Sequence, residues 1–189
     1  MIITINQIET GIGLLINDEV YLVTEYHHVK PGKGAAFVRV KLKSIKTDLS
    51  LERTFRTADK LESVDLEENV MQFLYHSGDS YHFMDQQTYE ETVISREQMG
   101  ENVVAFLQDN LQVTMICNGQ HILKVVLPTF IVANIIETEP GFKGDSSRAG
   151  TKPATIDTGT NVQIPLFVNK GDWIKIDTRT GQYVERVQK

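Results

Sequence analysis

The feature of this sequence that most constrains its fold is a repeating strand rhythm. Short runs rich in Val, Ile, Phe, Tyr and Thr recur about every 8–12 residues, and turn-forming residues separate them. Only residues 101–109, ENVVAFLQD, carry a good helical pattern, and its apolar side consists of Val103, Val104, Phe106 and Leu107. The rhythm therefore predicts an all-β protein with one short helix.

The strand pattern is clearest in residues 36–43, where apolar and other side chains alternate strictly. One predicted face carries Ala36, Val38, Val40 and Leu42, and the other carries Phe37, Arg39, Lys41 and Lys43. Such alternation indicates a half-buried strand with a cationic outer face. Together with the neighbouring runs GLLIND, VYLVTEYHHV and SLERTFRT, it predicts a small SH3-like barrel at residues 1–64.

The remainder of the chain predicts two further small barrels. We expect the acidic stretch ESVDLEEN to be a linker, after which two hairpins and the helix give residues 65–127 the content of an OB-type barrel. The second hairpin contains Asn118-Gly119, which is a signal for a type I′ turn. Pro128 interrupts the pattern, and residues 128–189 restart with FIVANIIETEP, a loop at 141–153, and the runs NVQIPLFV, DWIKIDT and QYVERV.

Charge is distributed unevenly along the chain, whose formal net charge is −6. Residues 1–64 carry 9 Lys and Arg against 8 Asp and Glu, residues 65–127 carry 2 against 10, and residues 128–189 carry 8 against 7. All 9 basic residues of the first segment lie within residues 30–60, which contain only 3 acidic residues. Two interpretations stay open: contact with RNA through this basic patch, or a solvated surface with uneven charge.

Composition and motifs argue against several other classes of protein. No apolar run approaches the roughly 20 residues that span a bilayer, the start of the sequence lacks a signal-peptide pattern, and the single Cys117 allows no intramolecular disulfide. We therefore expect a cytoplasmic protein without membrane contact. None of the five histidines falls in HExxH or joins a cysteine pair, and no nucleophile motif occurs. We expect no metal site, no cofactor and no enzymatic activity.

The loop PGKGA at residues 31–35 places a lysine between two glycines. It is not a nucleotide-binding P-loop, because that motif needs a glycine where this chain has His27 and a Ser or Thr where it has Gly34. The proline and glycines predict a tight hairpin tip with Lys33 at its apex. An ordinary turn with an incidental lysine is the alternative, but the paired glycines and the basic strand beyond favour a lysine that reaches into a narrow anionic cavity.

Three segments of the sequence resemble bacterial translation elongation factor P, and the resemblance extends over essentially the whole chain. VKPGKGAAFVRVKLK is similar to the domain I loop of that family, and YHSGDSYHFMDQQTYE is similar to its domain II hairpin. GDSSRAGTKPATIDTG, continuing into NVQIPLFVNKGDWIKIDTRTGQYVERV, resembles its domain III signature. The resemblance implies a KOW/SH3-like barrel followed by two OB barrels, arranged in an L that mimics tRNA in outline.

The resemblance also implies a function in translation. Factors of this family bind the 70S ribosome between the peptidyl-tRNA (P) site and the exit (E) site, position the peptidyl-tRNA and relieve stalling at consecutive prolines. By this resemblance, an enzyme modifies Lys33 after translation, and the loop and the strand beyond it contact tRNA and rRNA. The residues implied in these contacts are Lys30, Pro31, Gly32, Lys33, Gly34, Arg39 and Lys41.

In domain III, the resemblance implies that Gly144 and Asp145 lie near the exit-site codon. The family pattern continues with threonine, whereas this chain has Ser146, which keeps the hydroxyl and loses a methyl group. Tyr183 and Arg186 complete the implied contacts near the C-terminus. We expect a monomer, and we favour β-lysylation of Lys33 over an aminopentanol group; the presence of lysine excludes arginine rhamnosylation.

A function of a different class stays open, namely general binding of single-stranded RNA by OB barrels. Such proteins usually carry aromatic stacking residues among basic ones. In this sequence the aromatic residues of the predicted middle barrel lie in an acidic segment: Phe73, Tyr75, Tyr81 and Phe83. The sequence therefore favours the translation factor.

Overall fold

The computed structural model describes residues 1–30, 32, 34–140 and 150–188. Strand accounts for 58% of the chain and helix for 7%, which confirms the predicted all-β class. The described strands form three sheets. The chain divides into two compact units, which are Met1–Asn69 with Met115–Lys124 and Val70–Thr114 with Val125–Lys189.

The first sheet curls around an apolar core. Its six strands are β1 (Ile2–Ile3), β2 (Gly13–Ile16), β3 (Glu19–Val29), β4 (Phe37–Ser44), β5 (Ser50–Arg56) and β6 (Leu61–Val64), and a 3-10 turn, Ile5–Gln7, follows β1. The strands lie in the order β1-β6-β2-β3-β4-β5. The alternation predicted for β4 is confirmed, because Val38, Val40 and Leu42 are fully buried while Arg39 and Lys41 are exposed.

One turn and one close approach of the backbone show why the first sheet needs particular residues. Asn17 and Asp18 join β2 to β3 with φ values of 51° and 63°, which is the positive-φ pair of a type I′ turn. A side chain at Gly13 would place its Cβ 2.7 Å from the Val64 carbonyl oxygen of β6. Glycine at this position therefore allows β2 and β6 to approach each other.

The acidic stretch that we expected to be a linker is strand for most of its length, so that prediction is wrong. β6 ends at Val64 and the next strand begins at Glu67, which leaves only Asp65 and Leu66 between them. Leu61 and Val64 are buried, and the acidic residue between them, Glu62, is exposed. Leu61 packs into the core of the first sheet, whereas Val64 is buried on the opposite side of the strand, since side chains alternate between the two faces.

The second sheet contains five strands and is interrupted by two short helices. Its elements are β7 (Glu67–Ser77), β8 (Ser80–Asp85), β9 (Glu91–Ser95), α1 (Arg96–Met99), α2 (Glu101–Phe106), β10 (Gln112–Asn118) and β11 (His121–Val126). The strand order is β11-β10-β7-β8-β9. The β10–β11 hairpin is confirmed, but its turn residues are Gly119 and Gln120, and only Gly119 has positive φ (57°). The turn is therefore not of type I′, which requires positive φ at both central residues.

The helix predicted at residues 101–109 ends at Phe106, and its apolar side does not serve one barrel alone. Phe106 is buried in the core of the third sheet, in the same cluster as Ile131, Ile135 and Ile176. A Cβ built on Gly181 would lie 3.4 Å from the ring of Phe106, which shows how closely the third barrel surrounds it. The aromatic side chain thus leaves its own barrel and fills the next one.

The third sheet repeats the five-strand plan. Its strands are β12 (Phe130–Thr138), β13 (Thr151–Ile156), β14 (Asn161–Pro165), β15 (Trp173–Asp177) and β16 (Gln182–Val187), in the order β14-β13-β12-β15-β16. β13 begins inside the segment predicted as a loop at 141–153. Its pairing with β12 ends at Ala154, so Pro153 faces no partner strand on that side, and a proline is tolerated there.

Candidate functional site

The predicted lysine loop follows a hairpin whose pairing has one register shift, between Val23 and Glu25, and is continuous from Glu25 to the loop. β3 and β4 pair in antiparallel register up to Val29 opposite Phe37, so residues 30–36 form the connection. Gly34 has a φ of 115°, a conformation that favours glycine, and this explains the second of the two glycines around the lysine. Lys30, Gly32 and Gly34 are exposed. Pro31 and Lys33 themselves lie outside the described residues.

The cations on the outer face of β4 are each engaged by a carboxylate of the same unit. Lys41 lies directly between Glu25 on β3 and Glu52 on β5 in the strand register, and its ammonium group forms an ion pair with Glu25. Arg39 Nε lies 3.4 Å from Glu52 Oε1. Lys43 Nζ lies 3.0 Å from an oxygen of Asp48. We call Arg39, Lys41 and Lys43 the paired stripe.

Lys41 and Glu25 stabilise each other in their charged forms. The hydrogen bond and charge of Glu25 raise the pKa of Lys41. The pKa of Glu25 is lowered, chiefly by the hydrogen bond from Lys41 and then by that from His27, whose Nε2 lies 3.1 Å from the carboxylate. The sequence patch is therefore less available than its charge count indicated, because each stripe cation already faces an anion.

Asp48 anchors the far end of the stripe. It has a φ of 61° in the turn that follows β4, and its carboxylate receives both Lys43 and Lys124 of β11. Burial by itself raises the pKa of Asp48, but the hydrogen bonds from Lys124 and Lys43 outweigh it and lower the pKa below its usual value. The side chain of Lys124 is 21% exposed, so this pair is more sheltered than the others.

The residues implied at the C-terminal contacts lie in the third barrel. Tyr183 is half-buried and packs against the apolar core of that barrel. Arg186 is exposed, and its Nη1 lies 3.7 Å from Asp172, while its guanidinium carbon lies 6.0 Å from the centre of the Phe167 ring. Gly144, Asp145 and Ser146 lie outside the described residues.

A cleft of about 800 Å³ lies within the second unit, between helix α2 and the third sheet. Its polar groups join these two parts of the unit. Gln108 Nε2 donates to the Val132 carbonyl at 3.1 Å, and the hydroxyls of Thr158 and Thr160 both donate to the Ala105 carbonyl, at 2.8 and 2.6 Å. These hydrogen bonds join helix α2 to the third sheet along the cleft.

Metal-binding clusters and nucleophilic side chains are the groups from which a catalytic site would be built in the part of the chain that the structure describes. In that part, no cluster of three or more His, Cys, Asp or Glu residues is placed to hold a metal ion. Cys117 is buried, and burial raises the pKa of its thiol, which opposes a role as a nucleophile. No helix among the described residues is long and apolar enough to cross a membrane.

Family models match all three predicted parts of the chain. Residues 4–61 match the elongation factor P (EF-P) KOW-like domain, residues 66–125 match the EF-P OB domain, and residues 131–186 match the elongation factor P C-terminal domain. Together with the three sheets, these matches confirm the three-domain all-β architecture.

Individual relatives agree with the family models. The chain is 44% identical over 98% of its length to elongation factor P of Natranaerobius thermophilus, covering 98% of that protein, and 43% identical over 97% of its length to that of Moorella thermoacetica, covering 99%. A solved translation initiation factor eIF-5A family protein from Naegleria fowleri matches 67% of this chain and 95% of its own, with a TM-score of 0.53 and 18% identity, which shows a shared fold. The chain belongs to the elongation factor P family and is a translation elongation factor.

Proposed function

We propose that this chain binds the 70S ribosome between the P and E sites and stimulates peptide bond formation at consecutive prolines. The observation that carries the proposal is the match of the first-domain model to residues 4–61, which includes the whole β3–β4 hairpin and its lysine loop. The continuous pairing of β3 with β4 from Glu25 to Val29 gives that loop a paired base. Such a base suits a group that must enter a cavity too small for the barrel.

The proposed mechanism is positional. Proline is a poor nucleophile, and a peptidyl-tRNA held in reactive geometry loses less entropy on reaching the transition state. Lys33, extended by a post-translational modification, orders the acceptor end of the peptidyl-tRNA through hydrogen bonds and charge. The ribosome catalyses peptide bond formation, and the factor holds the peptidyl-tRNA in the reactive position.

The third barrel contributes the second contact. We place Gly144, Asp145 and Ser146 at the exit-site codon, with Tyr183 and Arg186 supporting the same end of the chain. The L-shaped arrangement, the monomeric state and the cytoplasmic location belong to this proposal as well.

Translation of a message with three consecutive proline codons tests the proposal. Wild-type protein is expected to relieve the stall, and Lys33→Ala is expected to lose most of that activity. A Lys33→Ala variant as active as wild type would contradict the role of the lysine. Intact mass of protein from its native host identifies the adduct, for which we propose β-lysylation, and an unmodified mass in fully active protein would exclude an obligatory adduct.

General binding of single-stranded RNA is the second candidate, and one observation on the third barrel favours it. Lys175 Nζ lies 4.9 Å from the centre of the exposed Phe130 ring, and Arg186 approaches the exposed Phe167. Aromatic rings next to cations are the usual elements of single-strand binding surfaces. Tight binding of free oligonucleotides in the absence of ribosomes would favour this candidate. Weak binding would favour the ribosomal function instead.

A further inference from the structure

The cations of the first barrel fall into two classes that the sequence does not distinguish. The paired stripe, which consists of Arg39, Lys41 and Lys43, faces carboxylates at every position. A second set is exposed, and within the described residues no carboxylate lies at ion-pair distance from any of its members. In the described part of the barrel it includes Lys46, in the turn after β4, and Arg53, opposite Val40 of β4. Its other members are Lys30, Arg56 and Lys60, which we call the loop-end cations.

The register places the loop-end cations beside the lysine loop. Val29, Phe37 and Arg56 form one row across β3, β4 and β5. Neighbouring strands lie about 4.8 Å apart, so the backbone of Arg56 is roughly 10 Å from that of Val29, next to Lys30. Both cations therefore lie at the end of the sheet where β3 ends and β4 begins.

A short turn holds the third cation at the same end. The backbone N–H of Arg56 donates to Asp59 Oδ2 at 2.7 Å, and the Asp59 N–H donates to the Arg56 carbonyl at 2.9 Å. The Thr57 hydroxyl donates to the Ala36 carbonyl at 3.1 Å, which ties the turn to the base of the lysine loop. Lys60 follows directly, so a fixed turn carries it.

Charge availability decides which set can hold a phosphate. A cation that already faces a carboxylate presents little net charge, and a phosphate must displace that carboxylate to bind. A free cation releases counterions from the nucleic acid without this cost. We propose that the loop-end cations Lys30, Arg56 and Lys60 make the phosphate contacts that seat the lysine loop on the acceptor end of tRNA, and that Arg39 and Lys41 do not. This inference rests on the proposed ribosomal function.

The salt dependence of binding separates the two sets. The measurement is the Kd of the natively modified protein for ribosomes stalled at proline codons with peptidyl-tRNA in the P site, across a range of salt concentrations. Each lost phosphate contact lowers the slope of log K against log salt by about 0.7–0.9. The variant Lys30→Gln/Arg56→Gln/Lys60→Gln is expected to bind at least about tenfold more weakly at low salt, with a slope reduced by about 2 to 3.

Two controls match this variant within the same barrel. Lys46→Gln removes an exposed cation from the turn at the opposite end of β4. The single variant Arg56→Gln removes the same amount of charge at the loop end, so the difference between these two variants separates the position of the charge from the net charge. The variant Glu25→Gln/Arg39→Gln/Lys41→Gln/Glu52→Gln removes two ion pairs without changing the net charge, and we expect its slope to equal that of wild type. Glu25→Gln/Glu52→Gln frees two stripe cations and is expected to increase the slope.

Two outcomes of these measurements would overturn the inference. Wild-type Kd and slope in the loop-end variant would overturn it, as would an equal loss of slope in the variant without the two ion pairs. Unchanged thermal unfolding of each variant is expected, since all the altered side chains lie at the surface. If wild-type protein itself fails to relieve proline stalling, the proposed function fails; if it relieves stalling and the loop-end variant binds normally, only the present assignment fails.

Discussion

Two junctions within this chain join neighbouring barrels by opposite chemistry. In the first unit, the Asp48 carboxylate after β4 receives Lys43 from its own sheet and Lys124 from β11. In the second unit, Phe106 from α2 is buried in the core of the third sheet. The first junction is ionic and partly exposed, whereas the second is built on a buried apolar ring, with hydrogen bonds to the end of α2 at its edge.

The difference shows which junction contributes more to the stability of the folded chain. Burying a phenylalanine side chain contributes about 1.5–3 kcal/mol, and salt does not screen it. An exposed ion pair contributes about 0–1 kcal/mol and weakens as salt rises. We therefore expect the apolar junction to set the stability of its unit and the ionic junction to set only local geometry.

Removing the Phe106 ring from the apolar junction should cause the largest loss of stability among the variants of the two junctions. Phe106→Ala leaves a cavity in the third barrel and is expected to cost about 3–5 kcal/mol of unfolding free energy. The single tryptophan of the chain, Trp173, lies on β15, so its fluorescence follows unfolding of this barrel in denaturant.

The matched control for this variant is Phe130→Ala, which removes a ring that is 44% exposed on the same barrel. We expect that control to cost clearly less than Phe106→Ala. Equal losses in the two variants would contradict a role of Phe106 as the closing residue of the third core.

The second-largest loss of stability should follow from removing the hydrogen bonds at the end of α2. The last carbonyls of a helix lack partners within the helix, and the Ala105 carbonyl receives two threonine hydroxyls of the third barrel instead. Thr158→Val/Thr160→Val removes both donors and is expected to cost about 1–3 kcal/mol, monitored by the same fluorescence.

Each single threonine variant leaves one donor in place, so the two single losses should sum to less than the loss in the double variant. Simple additivity would show that the two hydroxyls act independently, and it would remove the shared carbonyl from the explanation.

Removing the carboxylate of the ionic junction should cause the smallest loss of stability, and the size of that loss should depend on pH and salt. Asp48→Asn is expected to cost about 0.2–1 kcal/mol at neutral pH and low salt, and less at high salt. The pKa of Asp48 is lowered from its ordinary 3.8 in the folded state, so its stabilisation is present above that value and is lost as pH falls through the lower folded pKa.

Thermal unfolding of wild type and Asp48→Asn between pH 7 and pH 2.5 tests this prediction, because the two curves should converge toward the acid end. Asp59→Asn is a control at another turn of the same sheet, where the carboxylate accepts a backbone N–H and no lysine. A difference between wild type and Asp48→Asn that is insensitive to salt and pH would show that the junction is not ionic.

Local patterns predicted much of this fold because they depend on neighbouring residues only. The alternation in residues 36–43 identifies which side chains of β4 face the core, and the structure confirms this for Val38, Val40 and Leu42. The same approach was wrong at ESVDLEEN, because acidic composition suggested a linker, whereas pairing with β1 and β2 makes the first half of this segment a strand.

The sequence by itself determined the strand rhythm, the glycine-flanked lysine loop and the family, since each depends on residues close together in the chain or on motifs read in order. Only the tertiary structure decided which cations are free and which core Phe106 fills. Arg39 and Arg56 look alike in the sequence, yet the pairing of β4 with β5 brings Glu52 to Arg39. Pairing of charges and sharing of cores depend on contacts between distant segments, and strand register sets those contacts.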